Sequence, residues 1–186
     1  MTWNPPNLLS LLRLLLAPVV AWLIGHARYP EALVVFWVAG VTDMLDGYLA
    51  RRFQWGSRLG TYLDPLADKV LLVVVFISLG VAGALPEFLV LLVLGRDVLI
   101  LAMCGIAYSL WGMTDFAPSF WGKLSTTIQI LTVLVVVALR AYPGPILEAL
   151  SMAGIALTTL GTAWSGLHYV WIATLRWREA GPSRIR

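Results

Sequence analysis

Hydrophobic positions in this chain come in long blocks rather than in short alternations. Six blocks stand out, at residues 8–24, 32–51, 60–81, 86–108, 120–139 and 146–175. Crossing the hydrocarbon core of a bilayer takes roughly 20 apolar residues in a helix, so each block is long enough to span. Between them lie short polar or proline- and glycine-bearing breaks: 25–31, 52–59, the Gly80 and Gly83 turn, 109–119 and 141–145. The pattern predicts an all-α, polytopic membrane protein with six transmembrane helices and both termini on one side. The sixth block is longer than a membrane needs and predicts a helix that emerges from it. A single membrane domain over 1–175, followed by a basic, mobile tail at 176–186, fits the length.

Composition agrees with that reading. Of 186 residues, 60% are hydrophobic, more apolar surface than a soluble domain of this size can bury. The single Cys104 excludes an intrachain disulfide and a cysteine metal motif. The first sixteen residues lack the basic start and small-residue cleavage site of a secretory signal. No nucleic-acid motif or tandem repeat is present. The nine Trp residues read as interface anchors. Net charge is only +3, but its placement is informative. With six spans, Arg51, Arg52, Arg58, Lys123, Arg176, Arg178, Arg184 and Arg186 share one side, and Arg28 and Arg140 lie opposite. Basic residues stay in the cytoplasm, so the richer side is expected to face it, as in a bacterial inner membrane. The same collar attracts anionic lipid headgroups.

Against this background one stretch is anomalous. Residues 43–68, DMLDGYLARRFQWGSRLGTYLDPLAD, hold four of the chain's ten acidic residues. On a helix, Asp43, Asp46, Gly47 and Ala50 fall on one face, and Gly60, Asp64 and Asp68 on another. Unpaired carboxylates at membrane depth cost on the order of a few kcal/mol each. Something must therefore neutralise them, either the nearby Arg51, Arg52, Arg58 and Lys69 or hard divalent cations such as Mg²⁺ or Mn²⁺, which prefer all-oxygen ligands. Gly47, Ala50 and Gly60 share the acidic faces and leave room for a ligand to approach the backbone.

The spacing D-x2-D-G-x2-A-R-x8-G-x3-D-x3-D, filled by Asp43, Asp46, Gly47, Ala50, Arg51, Gly60, Asp64 and Asp68, resembles the signature of the CDP-alcohol phosphatidyltransferases. The likeness extends from Asn7 to about Tyr169. It implies transfer of a phosphatidyl group from CDP-diacylglycerol to an acceptor hydroxyl, with CMP leaving. It further implies two divalent cations held by Asp43, Asp46 and Asp64, with Asp68 as general base that also touches metal. Asp43, Gly47, Ala50, Arg51 and Gly60 would bind the CDP diphosphate. A homodimer and an active site at the cytoplasmic end of the bundle are implied in the same way.

The acceptor divides the resemblance. Relatives making phosphatidylglycerol phosphate carry a second Arg where this chain has Cys104, and a second Lys where it has Ser125. A dianionic acceptor such as glycerol 3-phosphate wants at least two or three cationic donors. These departures, with the runs at 7–24, 95–100 and 165–169, resemble cardiolipin synthases, whose acceptor is phosphatidylglycerol. Asn7, Arg13, Arg58, Arg96, Lys123 and His168 are the expected acceptor or headgroup contacts. For Asn7 and Arg13 the competing readings are helix capping and snorkelling; for His168, a hydrogen-bonded helix contact. A reading of a different class remains: the same carboxylates as the path of a non-enzymatic cation carrier.

Overall fold

The computed structural model describes the backbone over residues 5–53, 58–111 and 120–179, and side chains over 8–42, 66–106, 109, 120–172 and 174. Among the described residues the chain is entirely helical: α1 (Pro5–Gly25), α2 (Tyr29–Phe53), α3 (Arg58–Val81), α4 (Glu87–Trp111), α5 (Phe120–Ala141) and α6 (Pro145–Glu179). Each helix coincides with one hydrophobic block to within a few residues. Four of them carry described stretches long and apolar enough to cross a membrane: Leu8–Gly25, Glu87–Ile106, Phe120–Ala141 and Pro145–Ile172. The sixth helix reaches Glu179 and so includes the backbone of Arg176 and Arg178.

The contacts divide the chain into two compact units. The first comprises Met1–Pro86 and Val133–Ser151. In it, α1 packs against both α2 and α3. The buried stripe of α1 is Ser10, Arg13, Ala17, Val20 and Ile24, spaced alternately three and four residues apart. That spacing keeps one line of a helix in contact with its neighbours. Ala17, Ala32, Ala39 and Ala67 are at most 1% exposed and let the helix backbones approach closely.

Two helix ends in this unit rely on a left-handed residue. The turn after α1 puts Ala27 at φ 57° rather than using Gly25, with the Arg28 amide donating to the Leu23 carbonyl at 2.9 Å. After α3, Gly83 takes φ 64°, a conformation that glycine adopts without steric cost, and the Ala84 amide closes on the Leu79 carbonyl. Arg140, near the end of α5, donates to the Gly83 carbonyl at 2.6 Å and occupies a further acceptor of this turn.

The second unit comprises Glu87–Thr132 and Met152–Arg186. It is held by a polar seam as well as by apolar packing. Thr132 and Thr158 share a hydroxyl hydrogen bond of 2.9 Å, and the Gln129 amide donates to Thr162 Oγ1 at 3.1 Å. Ser125, Gln129, Thr132, Thr158, Thr162 and Ser165 are all at most 2% exposed. Polar side chains facing each other across apolar helices give directional contacts where lipid provides no hydrophobic drive. The seam needs Gly154: a Cβ there would stand 2.9 Å from Thr132 Oγ1. Gly154→Ala should therefore cost about 1–3 kcal/mol, the range of an overpacked contact. A lowered thermal midpoint of the purified protein in detergent checks this.

Candidate active site

The first half of the aspartate motif lies in α2 and the second in α3. Only positions 54–57 separate the end of α2 at Phe53 from the start of α3 at Arg58. Asp43 stands ten residues before Phe53 and Asp46 seven; Asp64 stands six after Arg58 and Asp68 ten. At a rise of about 1.5 Å per residue, both pairs lie roughly 9–15 Å along their helices from the shared connection. The helical backbone through 43–50 and 60–68 agrees with the two predicted faces. The side chains of Asn7, Asp43, Asp46, Ala50, Arg51, Arg58 and Asp64, and the surroundings of Gly47 and Gly60, lie outside the described residues.

Asp68 is described, and one of its partners comes from α1. Arg13 Nη1 donates to Asp68 Oδ1 in a salt bridge between α1 and α3. The two groups differ in setting: the Arg13 side chain is 1% exposed and that of Asp68 47%. Arg13 thus occupies a core position on the buried stripe of α1 rather than snorkelling outward. A guanidinium buried this deeply requires a counter-charge, since the desolvation penalty is several kcal/mol per ion.

Three further expected contacts lie in the second unit. Arg96 is almost enclosed. Its Nη1 donates to Asp97 Oδ1 at 3.0 Å, and its Nη2 donates to Ser165 Oγ at 2.7 Å. Its guanidinium carbon lies 5.8 Å from the centroid of the Tyr169 ring, within cation–π range. Its Nε has no hydrogen-bond partner among the described residues, and neither has the buried Nδ1 of His168, whose ring stands 6.1 Å from that of Trp171. Lys123 is exposed on the first turn of α5.

The sequence reading missed the seam that runs beside these groups. The signal was available: Ser125, Gln129 and Thr132 on α5, and Thr158, Thr162 and Ser165 on α6, each recur at helical spacing within apolar helices. Ser125 stands where phosphatidylglycerol-phosphate-forming relatives have a lysine by the resemblance above. It is buried, within 3.5 Å of Thr162 Oγ1 and 3.4 Å of the Gln129 amide nitrogen.

No group of three or more potential metal-ligating side chains occurs among the described residues. The donor set implied by the motif, four carboxylates with Asp68 reaching solvent, fits hard divalent cations chemically, because such ions take oxygen ligands.

Fold and residue pattern together define a polytopic helical membrane protein with an aspartate motif carried across two consecutive helices. The chain belongs to the CDP-alcohol phosphatidyltransferase family, whose model matches residues 3–176. It is 36% identical over 185 residues to the cardiolipin synthase (CMP-forming) of Rattus norvegicus, covering 90% of this chain and 61% of the rat protein. It is 34% identical to the cardiolipin synthase (CMP-forming) of Streptomyces coelicolor, covering 89% of this chain and 80% of that protein. The CDP-diacylglycerol–glycerol-3-phosphate 3-phosphatidyltransferase of Haemophilus influenzae is 30% identical, over 93% of this chain and 95% of its own length. The chain thus spans less than two thirds of the rat relative, and most of the two bacterial ones.

Proposed function

We propose that this protein transfers a phosphatidyl group from CDP-diacylglycerol to the free glycerol hydroxyl of phosphatidylglycerol, releasing CMP. The observation that carries the reading is the matched depth of the two aspartate pairs on α2 and α3, helices that both pack on α1. In this reading Asp43, Asp46 and Asp64 hold two divalent cations, Mg²⁺ or Mn²⁺. Bound there, the ions would neutralise the donor diphosphate and the charge passing to the departing nucleotide. Arg51 offers a planar fork to phosphate oxygens. Gly47, Ala50 and Gly60 keep side chains out of the nucleotide's way. Asp68 accepts the proton of the attacking hydroxyl, an oxygen to which a carboxylate is a competent base only as the transition state acidifies it. Its exposed carboxylate, tied to a buried Arg13, suits a group that must meet substrate.

The acceptor reading rests on the second unit. Arg96, Lys123 and His168 are the proposed headgroup contacts of that unit. Arg96 is already charge-balanced by Asp97 and hydrogen-bonded to Ser165. The two positions that would add cations carry Cys104 and the buried Ser125. This supports a phosphodiester rather than a dianionic phosphomonoester as acceptor. Glycerol 3-phosphate stays the second reading, favoured by the Haemophilus likeness over nearly its whole length.

A bacterial inner membrane, a cytoplasm-facing site and a homodimer complete the proposal. Purified protein given CDP-diacylglycerol with either phosphatidylglycerol or glycerol 3-phosphate should form cardiolipin from the first pair. Phosphatidylglycerol phosphate from the second pair alone would reverse the acceptor assignment. Divalent-ion flux into proteoliposomes without any lipid donor would instead favour a cation carrier.

A further inference from the structure

We propose that the polar seam between α5 and α6 holds one buried water molecule, bound by the Gln129 amide and the hydroxyls of Ser125 and Thr162 beside the bare backbone of Gly161.

The hydrogen bonds of the seam leave two loose ends. Gln129 is 0% exposed, and its amide nitrogen donates to Ser125 Oγ at 3.4 Å and to Thr162 Oγ1 at 3.1 Å. Both amide protons are thereby engaged. Its Oε1 is buried and has no donor among the described residues. Turning the amide over does not help, because two unmet protons would then replace one unmet oxygen. The Ser125 and Thr162 hydroxyls stand 3.5 Å apart, so one can donate to the other. The second hydroxyl proton has no acceptor among the described residues. One acceptor and one donor are thus left over around the same side chain, although folded proteins satisfy nearly all buried polar groups. A single water closes both ends. It donates a proton to Gln129 Oε1 and accepts the spare hydroxyl proton, and buried waters make roughly two to four such bonds.

Room for it lies on the facing helix. Gly161 comes just before Thr162 on α6. A Cβ there would stand 3.9 Å from Ser125 Oγ and 3.7 Å from Ile128 Cδ1, ordinary contact distances. A methyl-sized space therefore borders Ser125, and a water molecule needs about that much. Gly154 differs, since a Cβ there would press on Thr132 Oγ1 at 2.9 Å. The seam thus has one tight glycine and one roomy one, and the roomy one lies beside the residues with unmet groups. A hard cation is a poorer occupant. It needs several oxygens, and both hydroxyl oxygens already face amide protons. Thr162 stands one helical turn before Ser165, which accepts from Arg96, so the water lies close to a proposed headgroup contact.

The test uses the full chain in liposomes. The sequence has two glutamines, Gln54 and Gln129, so labelling glutamine side chains with a nitrogen isotope gives two amide signals. Gln129→Met identifies one of them by its loss. In proton-detected NMR, magnetisation from water should reach the Gln129 amide. Gly161→Ala, which fills the space, should abolish that transfer. A Gln129 signal that receives nothing from water, or as much in Gly161→Ala as before, would overturn the proposal. Stability gives an independent reading. Alanine is the better helix former, so filling a dry gap should raise the thermal midpoint. With a water expelled and Oε1 left unmet, Gly161→Ala should instead lower it by about 2–4 °C. In a Gln129→Met background, where no amide needs the water, the same substitution should raise it. A change of the same sign in both backgrounds would also overturn the proposal. Should Gly161→Ala fail to fold, transfer from water to Gln129 in the unaltered protein decides alone: its presence supports the site and its absence removes it.

Discussion

Asp68→Asn should lower CMP release from CDP-diacylglycerol by about 10²–10⁴-fold, the range that a general base contributes. The substitution is nearly isosteric and keeps an oxygen for Arg13 to donate to, so the contact between α1 and α3 survives in altered form. What is lost is the negative charge. Because the Asp68 side chain is 47% exposed, water compensates part of that loss, and the thermal midpoint should fall modestly while turnover collapses. The measurement is nucleotide release in proteoliposomes, alongside a thermal unfolding curve of the same preparation. Near-normal release would remove Asp68 from the chemistry. Proportionate loss of fold and activity would make its role structural.

Asp97→Ala is expected to act through stability. Arg96 and Asp97 are paired at 3.0 Å with side chains only 8% and 7% exposed, within an apolar helix. Removing the carboxylate leaves a desolvated guanidinium with Ser165 and the Tyr169 ring but no counter-charge. Breaking a buried pair in this way typically costs about 3–5 kcal/mol. The purified variant should melt well below the unaltered protein, and replacing Arg96 with Met in the same chain should recover part of the loss, since the orphaned charge goes with it. An unchanged midpoint for Asp97→Ala would mean that water reaches Arg96 and that the pair is not sealed.

Much of the fold was legible because the membrane is a severe solvent. Backbone groups in hydrocarbon must bond within their own segment, so an apolar block of sufficient length can hardly be other than a helix. The block at 120–139 became α5 at Phe120–Ala141 for that reason. Ends were less legible. The break at 25–31 marks a turn without saying which residue closes it; Ala27 takes the left-handed conformation, where the hydrogen bonds from Ala27 and Arg28 back to α1 end the helix. Side-chain partnership was the least legible. A lone Arg13 in an apolar block equally suggests snorkelling to a headgroup, and only the packing of α1 against α3, 55 positions apart in sequence at the contact, makes it a core residue. Likewise, the bond from Arg96 to Ser165 joins residues 69 positions apart, and no spacing in the sequence signals it. The paired Ser and Thr positions of α5 and α6 recur at helical spacing, so the polar face is as periodic in the sequence as the apolar one.

The 35 residues of α6 set a ruler against the bilayer. At about 1.5 Å per residue the helix is roughly 52 Å long, and the hydrocarbon slab is only about 30 Å thick. Even leaning about 40° from the normal, near the steep limit for membrane helices, it would still rise about 10 Å beyond the oily layer. Part of this post must therefore stand in headgroups or water whatever its lean. If that part is its C-terminal end, a reporter protein joined there by a stiff helical linker would inherit the tilt of α6, turning the inclination of a buried rod into something that could be read from outside the membrane.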